Sequence, residues 1–122
     1  MAVAYNKSQS DFTSIAMQTS GTSAADTDLL TGTTGSVYTI AINNTANGSE
    51  EEHLKLYDSK APTVGTTDPV MIIRAYRAKT LIMTSKQGVA FGTALSAAMV
   101  TTGGTAGTTN PDSAAEYAIF GS

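Results

Sequence analysis

His53 is the only histidine in the chain, and it follows the run Glu50-Glu51-Glu52. An imidazole beside carboxylates is a common start for acid–base chemistry, because its proton exchanges near neutral pH. A general base, however, needs a nucleophile to activate and a third group to orient it. The sequence has no Gly-x-Ser-x-Gly elbow and no Cys, and one histidine excludes a two-histidine metal site or a histidine relay within a chain. The plainer reading is a histidine at the start of a strand, on a solvated face. Glu50, Glu51 and Glu52, and separately Asp26-x-Asp28, could offer oxygen ligands to a hard cation. Neither follows the alternating Asp/Asn spacing of a calcium loop, and solvated loop carboxylates account for both.

The glycine-rich stretches Thr31-Gly32-Thr33-Thr34-Gly35 and Gly103-Gly104-Thr105-Ala106-Gly107 lack the Gly-Lys-[Ser/Thr] of a phosphate loop and read as turns. Glycoside hydrolysis would need one carboxyl with a raised pKa in a cleft. With no Trp, five Tyr and three Phe, the sequence offers no aromatic-rich cleft, which also weakens a carbohydrate-binding reading. No catalytic residue, cofactor or metal is expected, and the chain does not read as an enzyme. Four of the seven basic residues, Arg74, Arg77, Lys79 and Lys86, fall within one short stretch. They are candidate contacts for an acidic protein surface, set against the simpler reading of solvated ends of two adjacent strands. A net charge of −3 argues against general nucleic-acid binding, which needs a basic excess.

The elements that would position these residues are strands. Leu54 and Leu56 alternate with His53, Lys55 and Tyr57, the period-2 mark of a half-buried strand. Pro62, Gly65 and Pro69 then break regular structure before Val70-Met71-Ile72-Ile73. That connection is too long for a tight hairpin and predicts a crossing between sheets or over the end of one. Strands are expected at Asp11–Thr19, Asp28–Thr31, Ser36–Asn43, Glu52–Asp58, Val70–Tyr76, Thr80–Ser85, Val89–Phe91, Leu95–Thr102 and Ala115–Phe120. In Ser36–Asn43 the alternation puts Tyr38, Ile40 and Ile42 on one face. Lys86-Gln87-Gly88 reads as a tight turn with Gly88 left-handed, and Asn47-Gly48 as a turn favouring positive φ. Gln18–Thr27, Leu30–Gly35 and Thr101–Pro111 read as loops.

Seven to nine short antiparallel strands make an all-β sandwich or barrel. At 122 residues the chain reads as one domain, 1–122, with 1–10 as an extended N-terminal arm. Its low charge content (14%) and its wealth of Thr, Ala, Ser and Gly suit a surface that lies flat on another protein. The longest apolar cluster, Val70–Ile73, is far short of a spanning helix, so no membrane partner is expected. Met1–Lys7 shows no secretory apolar stretch, and the absence of Cys removes any need for an oxidising compartment.

Leu54-Lys55-Leu56-Tyr57-Asp58, then Lys60 and Ala61-Pro62-Thr63-Val64-Gly65-Thr66 with Pro69, and later Gly88-x-Ala90-Phe91 and Leu95-Ser96, resemble a stretch of small β-rich virion proteins of tailed bacteriophages. The resemblance spans roughly Leu54 to Val100. It implies a non-enzymatic structural role, foremost a capsid decoration, or cement, protein bound outside the major capsid protein lattice. It also implies a homodimer or homotrimer on a local symmetry axis, assembled in the host cytoplasm, with Met1–Ser10, Gln18–Thr27 and Thr101–Pro111 ordering on the capsid. A head-fibre, tail or adaptor component on the same module is the alternative. A secreted adhesion or carbohydrate-binding β-module is a second one, opposed by the lack of signal, Cys and Trp.

Overall fold

In the computed structural model, residues 14–27, 29 and 35–122 are described. They contain seven strands: β1 Ser14–Gly21, β2 Gly35–Asn43, β3 Glu52–Asp58, β4 Met71–Ala75, β5 Thr80–Phe91, β6 Leu95–Val100 and β7 Ala115–Gly121. A four-stranded sheet runs β1-β7-β2-β5 and a three-stranded sheet runs β4-β3-β6, with every pair antiparallel. The fold is all-β, as the short alternating runs predict. The expected strand at Asp28–Thr31 and the arm at 1–10 lie outside the described residues, except that Leu29 rests against the core.

One core joins the two sheets. Val37, Ile40, Ile42, Tyr117 and Ile119 from the larger sheet meet Leu54, Leu56, Ile73, Leu95, Ala97 and Met99 from the smaller. Truncating a large aliphatic here costs about 2–5 kcal/mol through lost transfer energy and the cavity left behind. Tyr117 brings its hydroxyl inside with it and donates to Asp26 Oδ2 at 2.6 Å. Asp26 also exchanges backbone bonds with Ala97, and Thr22 and Leu29 bond to Met99 and Leu95, so this segment closes the free edge of β6.

Four local expectations change. The connection after β3 crosses nothing: β3 and β4 are neighbours, Leu56 pairing with Met71, and the proline-rich loop is a wide hairpin within one sheet. Thr80–Ser85 and Val89–Phe91 form a single strand. Val37 pairs with Val89 and Thr39 with Thr84, so residues 85–88 bulge opposite Tyr38 alone. Gly88 is left-handed as expected (φ 80°), but it serves that bulge, and a Cβ there would sit 2.7 Å from the Tyr38 ring. The same irregularity shifts the phase of β2, so Val37, not Tyr38, joins Ile40 and Ile42 in the core. Neither Asn47 nor Gly48 takes positive φ; Asn47 is buried and works through its side chain.

The β5–β6 turn is fastened from outside. Asp58, the last residue of β3, accepts the backbone N–H groups of Gly92, Thr93 and Ala94 at 3.1, 2.7 and 3.2 Å. These bonds favour the charged form and hold its carboxyl below the usual carboxylate range. Their contribution is therefore present above the ordinary carboxylate pKa and disappears as pH falls through the lowered value. Asp58→Ala should cost about 1 kcal/mol at pH 7 and little at pH 2. Thermal melts at the two pH values check this; equal losses at both would remove the assignment.

Candidate functional site

The four basic candidates do not converge. Arg74, on β4, grips Glu51 through Nε and Nη2 at 2.7 and 2.6 Å, with its guanidinium 4.6 Å from the Tyr76 ring centroid. The pair raises Arg74 and lowers Glu51, but it is solvent-exposed and adds little stability. Arg77 and Lys79 flank Ala78 (φ 54°) in the turn from β4 to β5, and both are exposed. Lys86 sits in the β5 bulge, roughly 20 Å along the strand at ~3.3 Å per residue. Three of the four share one end of the sandwich, one of these is already paired, and the fourth is remote.

Buried polar groups cluster in two places, and the first is a face that alternation assigns to solvent. The first is the face of β3 turned away from the shared core. Here His53, Lys55 and Tyr57 stand in a row, and Lys55 and Tyr57 are fully buried. The roof is the segment 101–110. Lys55 Nζ donates to the carbonyls of Thr105 and Gly107 at 3.0 and 2.7 Å, and burial lowers its pKa. Gly103 lies against the His53 ring, where a Cβ would be 3.1 Å from Nε2, while a Cβ on Gly107 would overlap the Thr102 carbonyl oxygen. His53 Nδ1 and the Tyr57 hydroxyl are buried with no partner, and burial raises Tyr57. His53 is thus half-roofed, not on an open face. Through Lys55 the row holds the loop 101–110 down.

The second cluster ties together three connections at one end of the molecule. Asn44 Nδ2 reaches the carbonyls of Glu50, Ala75 and Tyr76 at 3.4, 3.3 and 3.2 Å. Asn47 Nδ2 donates to Asn44 Oδ1 at 2.7 Å, and its own Oδ1 accepts the Ser113 N–H at 2.9 Å. Asp112 N–H donates to Glu50 Oε1. Within this knot Glu52 is fully buried, and neither of its carboxyl oxygens meets an N–H or hydroxyl donor. Burial first, then a proton shared with the Glu50 carboxyl and the charges of Glu50 and Asp112, push Glu52 up to about 8, so it is mostly protonated at neutral pH. Among the described residues no group of three His, Asp or Glu side chains is placed to hold a metal.

The remaining candidate is a surface. On the outer face of the larger sheet, register sets Met17, Ala118, Ala41 and Ile82 side by side across all four strands. Met17 and Ile82 are 69% and 66% exposed. Beside Met17 the alanines leave a shallow, mostly apolar trough of about 160 Å³ that ends at Thr80, with Asn43 and Glu116 at one rim. Period-2 reading of β7 anticipates Ala118 facing away from Tyr117 and Ile119. Which strands lie beside it depends on non-local pairing that the sequence does not print. No family model, curated protein or solved structure matches the chain.

Proposed function

We propose that the chain is a non-enzymatic structural protein of a tailed-phage virion, a capsid decoration protein that binds the outside of the major capsid protein lattice and stabilises the expanded head. The observation that carries this reading is the outer face of the larger sheet. It carries one apolar row across all four strands, which keeps two large hydrophobic side chains in water on either side of two alanines. Isolated exposed hydrophobics need no explanation, whereas a continuous row across a sheet marks a surface made to be covered. A row with no charged side chain settles on a flat protein partner with few ions to desolvate. The segment beginning at Leu54 and its likeness to phage virion modules supply the identity of that partner. A thin shell under pressure from packed DNA gains most from a clamp that adds contact area across subunit boundaries.

Quantitative mass spectrometry of purified virions tests this. About one copy per major capsid subunit is the expected result. A ratio far below that moves the protein to tail, adaptor or fibre, and absence from the particle overturns the virion role.

A further inference from the structure

The free edge of β5 is the other surface that stands out. Among the described residues, Thr22, Asp26 and Leu29 bond to the edge of β6, while none bonds to the free edge of β5. Large exposed hydrophobics also concentrate on this side of the sandwich. Of Met17, Val70, Ile72, Tyr76, Ile82 and Met83, all but Met17 lie on β4, β5 or the residues bordering them. Met71 of β4 and Met83 of β5 line one narrow cleft with Val37 and Ile40, so the two edges open to the same flank. Open edges are usually kept short or charged to prevent sheet extension. Here Lys79 and Lys86 bracket a charge-free run, Thr80-Leu81-Ile82-Met83-Thr84.

That run reads nearly the same in both directions. We propose that β5 pairs antiparallel with β5 of a second copy about a two-fold axis at Ile82, joining two four-stranded sheets into one of eight. In this register Thr80 faces the partner's Thr84, Leu81 faces the partner's Met83, and Ile82 meets its own symmetry mate. Like faces like in size and polarity, as a self-complementary interface requires.

The charge pattern selects the register. A two-fold axis perpendicular to the sheet keeps each side chain on its own face, so only two-residue slips compete. With the axis at Ile82, Lys79 falls opposite Ser85 and Lys86 opposite Ala78, outside the apolar run. Moving the axis to Leu81 sets Lys79 against Met83, and moving it to Met83 sets Lys86 against Thr80. Both alternatives drive an ammonium into the interface. The apolar row on the outer face also becomes continuous across the axis, with the exposed Ile82 pair at its centre. Nothing in this pairing depends on the virion role.

The absence of native Cys makes the test direct. A self-paired residue brings its Cα within disulfide range of its mate. Purified Ile82→Cys should form a covalent dimer on mild oxidation, at least tenfold faster than the equally exposed Met17→Cys control. Wild type should sediment at twice the monomer mass with a Tm that rises with concentration, and Ile82→Lys at the monomer mass with its β-sheet circular-dichroism spectrum retained and a Tm independent of concentration, since Ile82 is outside the core. A monomeric wild type at 100 µM overturns the proposal, as does cross-linking of Ile82→Cys no faster than the control. Virion copy number is read separately, so failure here and failure of the capsid role are distinguishable.

Discussion

Glu52→Gln should stabilise the protein by roughly 2–5 kcal/mol at pH 8.5, a rise of at least about 10 °C in Tm, and by no more than about 1 kcal/mol at pH 5. The folded carboxyl keeps its proton up to about pH 8, because it is buried beside Glu50 and Asp112. In the unfolded chain an ordinary glutamate releases its proton near 4.3. Between those values the folded state binds the extra proton, so stability falls as pH rises from about 4.5 to about 8 and then levels off. Glutamine is uncharged throughout and has the shape of the protonated acid. It removes the slope without opening a cavity.

Neighbouring groups act in the opposite sense and in another window. Asp58 and Glu51 have lowered folded values and contribute stability that is lost only at acid pH. Neither of them contributes a slope between pH 5 and 8, and the difference between wild type and Glu52→Gln isolates the Glu52 slope there. Urea unfolding of wild type and Glu52→Gln at half-unit intervals reads it directly. Parallel curves, or a glutamine variant weaker at pH 8.5, would show that Glu52 is charged and partnered in the folded state. Glu52 also joins the knot that ties the β2–β3, β4–β5 and β6–β7 connections, so its ionisation should loosen that end of the sandwich first. Deprotonation opens the structure where Asn44 and Asn47 hold it.

The sequence made the strands legible because each carries its own alternation. Glu52–Asp58 is found with the expected boundaries, and β7 presents Tyr117 and Ile119 inward as its spacing requires. Errors arose where one strand's geometry is set by another. The turn expected at Lys86-Gln87-Gly88 becomes a bulge because β2 continues past it and offers Tyr38 as the sole opposing residue. His53, Lys55 and Tyr57 alternate against two leucines, and in a half-buried strand that pattern puts them in water. A second layer over the same strand is invisible to period-2 reasoning, since it comes from residues about 50 positions downstream. One signal was available: a loop of eleven residues, 101–111, with no charge and four candidate turn-formers of Gly and Pro is poorly suited to open solvent. The basic cluster misled for the opposite reason. Nearness in sequence is not nearness in space, because an extended strand carries Lys86 away from Lys79 at every residue.

Lys55→Met should free the segment 101–110 while leaving the sandwich folded. The side chain is fully buried, and its ammonium has two carbonyl acceptors and no carboxylate within ion-pair distance among the described residues. Two effects compete. Removing a buried charge relieves a desolvation cost, and replacing buried ionic groups with apolar ones of similar length is often neutral. Against this, methionine leaves the Thr105 and Gly107 carbonyls facing an apolar surface, at about 1–3 kcal/mol for each unsatisfied group. The carbonyls have a way out that a core residue lacks: the loop can lift and give them water. Global destabilisation is therefore capped near the cost of releasing the loop, roughly 2 kcal/mol, and most of the effect is local. Amide exchange at Thr101, whose N–H bonds to the Thr109 carbonyl at 3.0 Å, should accelerate 10- to 100-fold. Cleavage by a nonspecific protease should appear within 101–110, while exchange in β2 and β7 changes far less. Uniform acceleration across every strand would mean that Lys55 supports the core itself. Unchanged exchange at Thr101 would mean that Gly107 and the His53–Gly103 contact hold the roof without it.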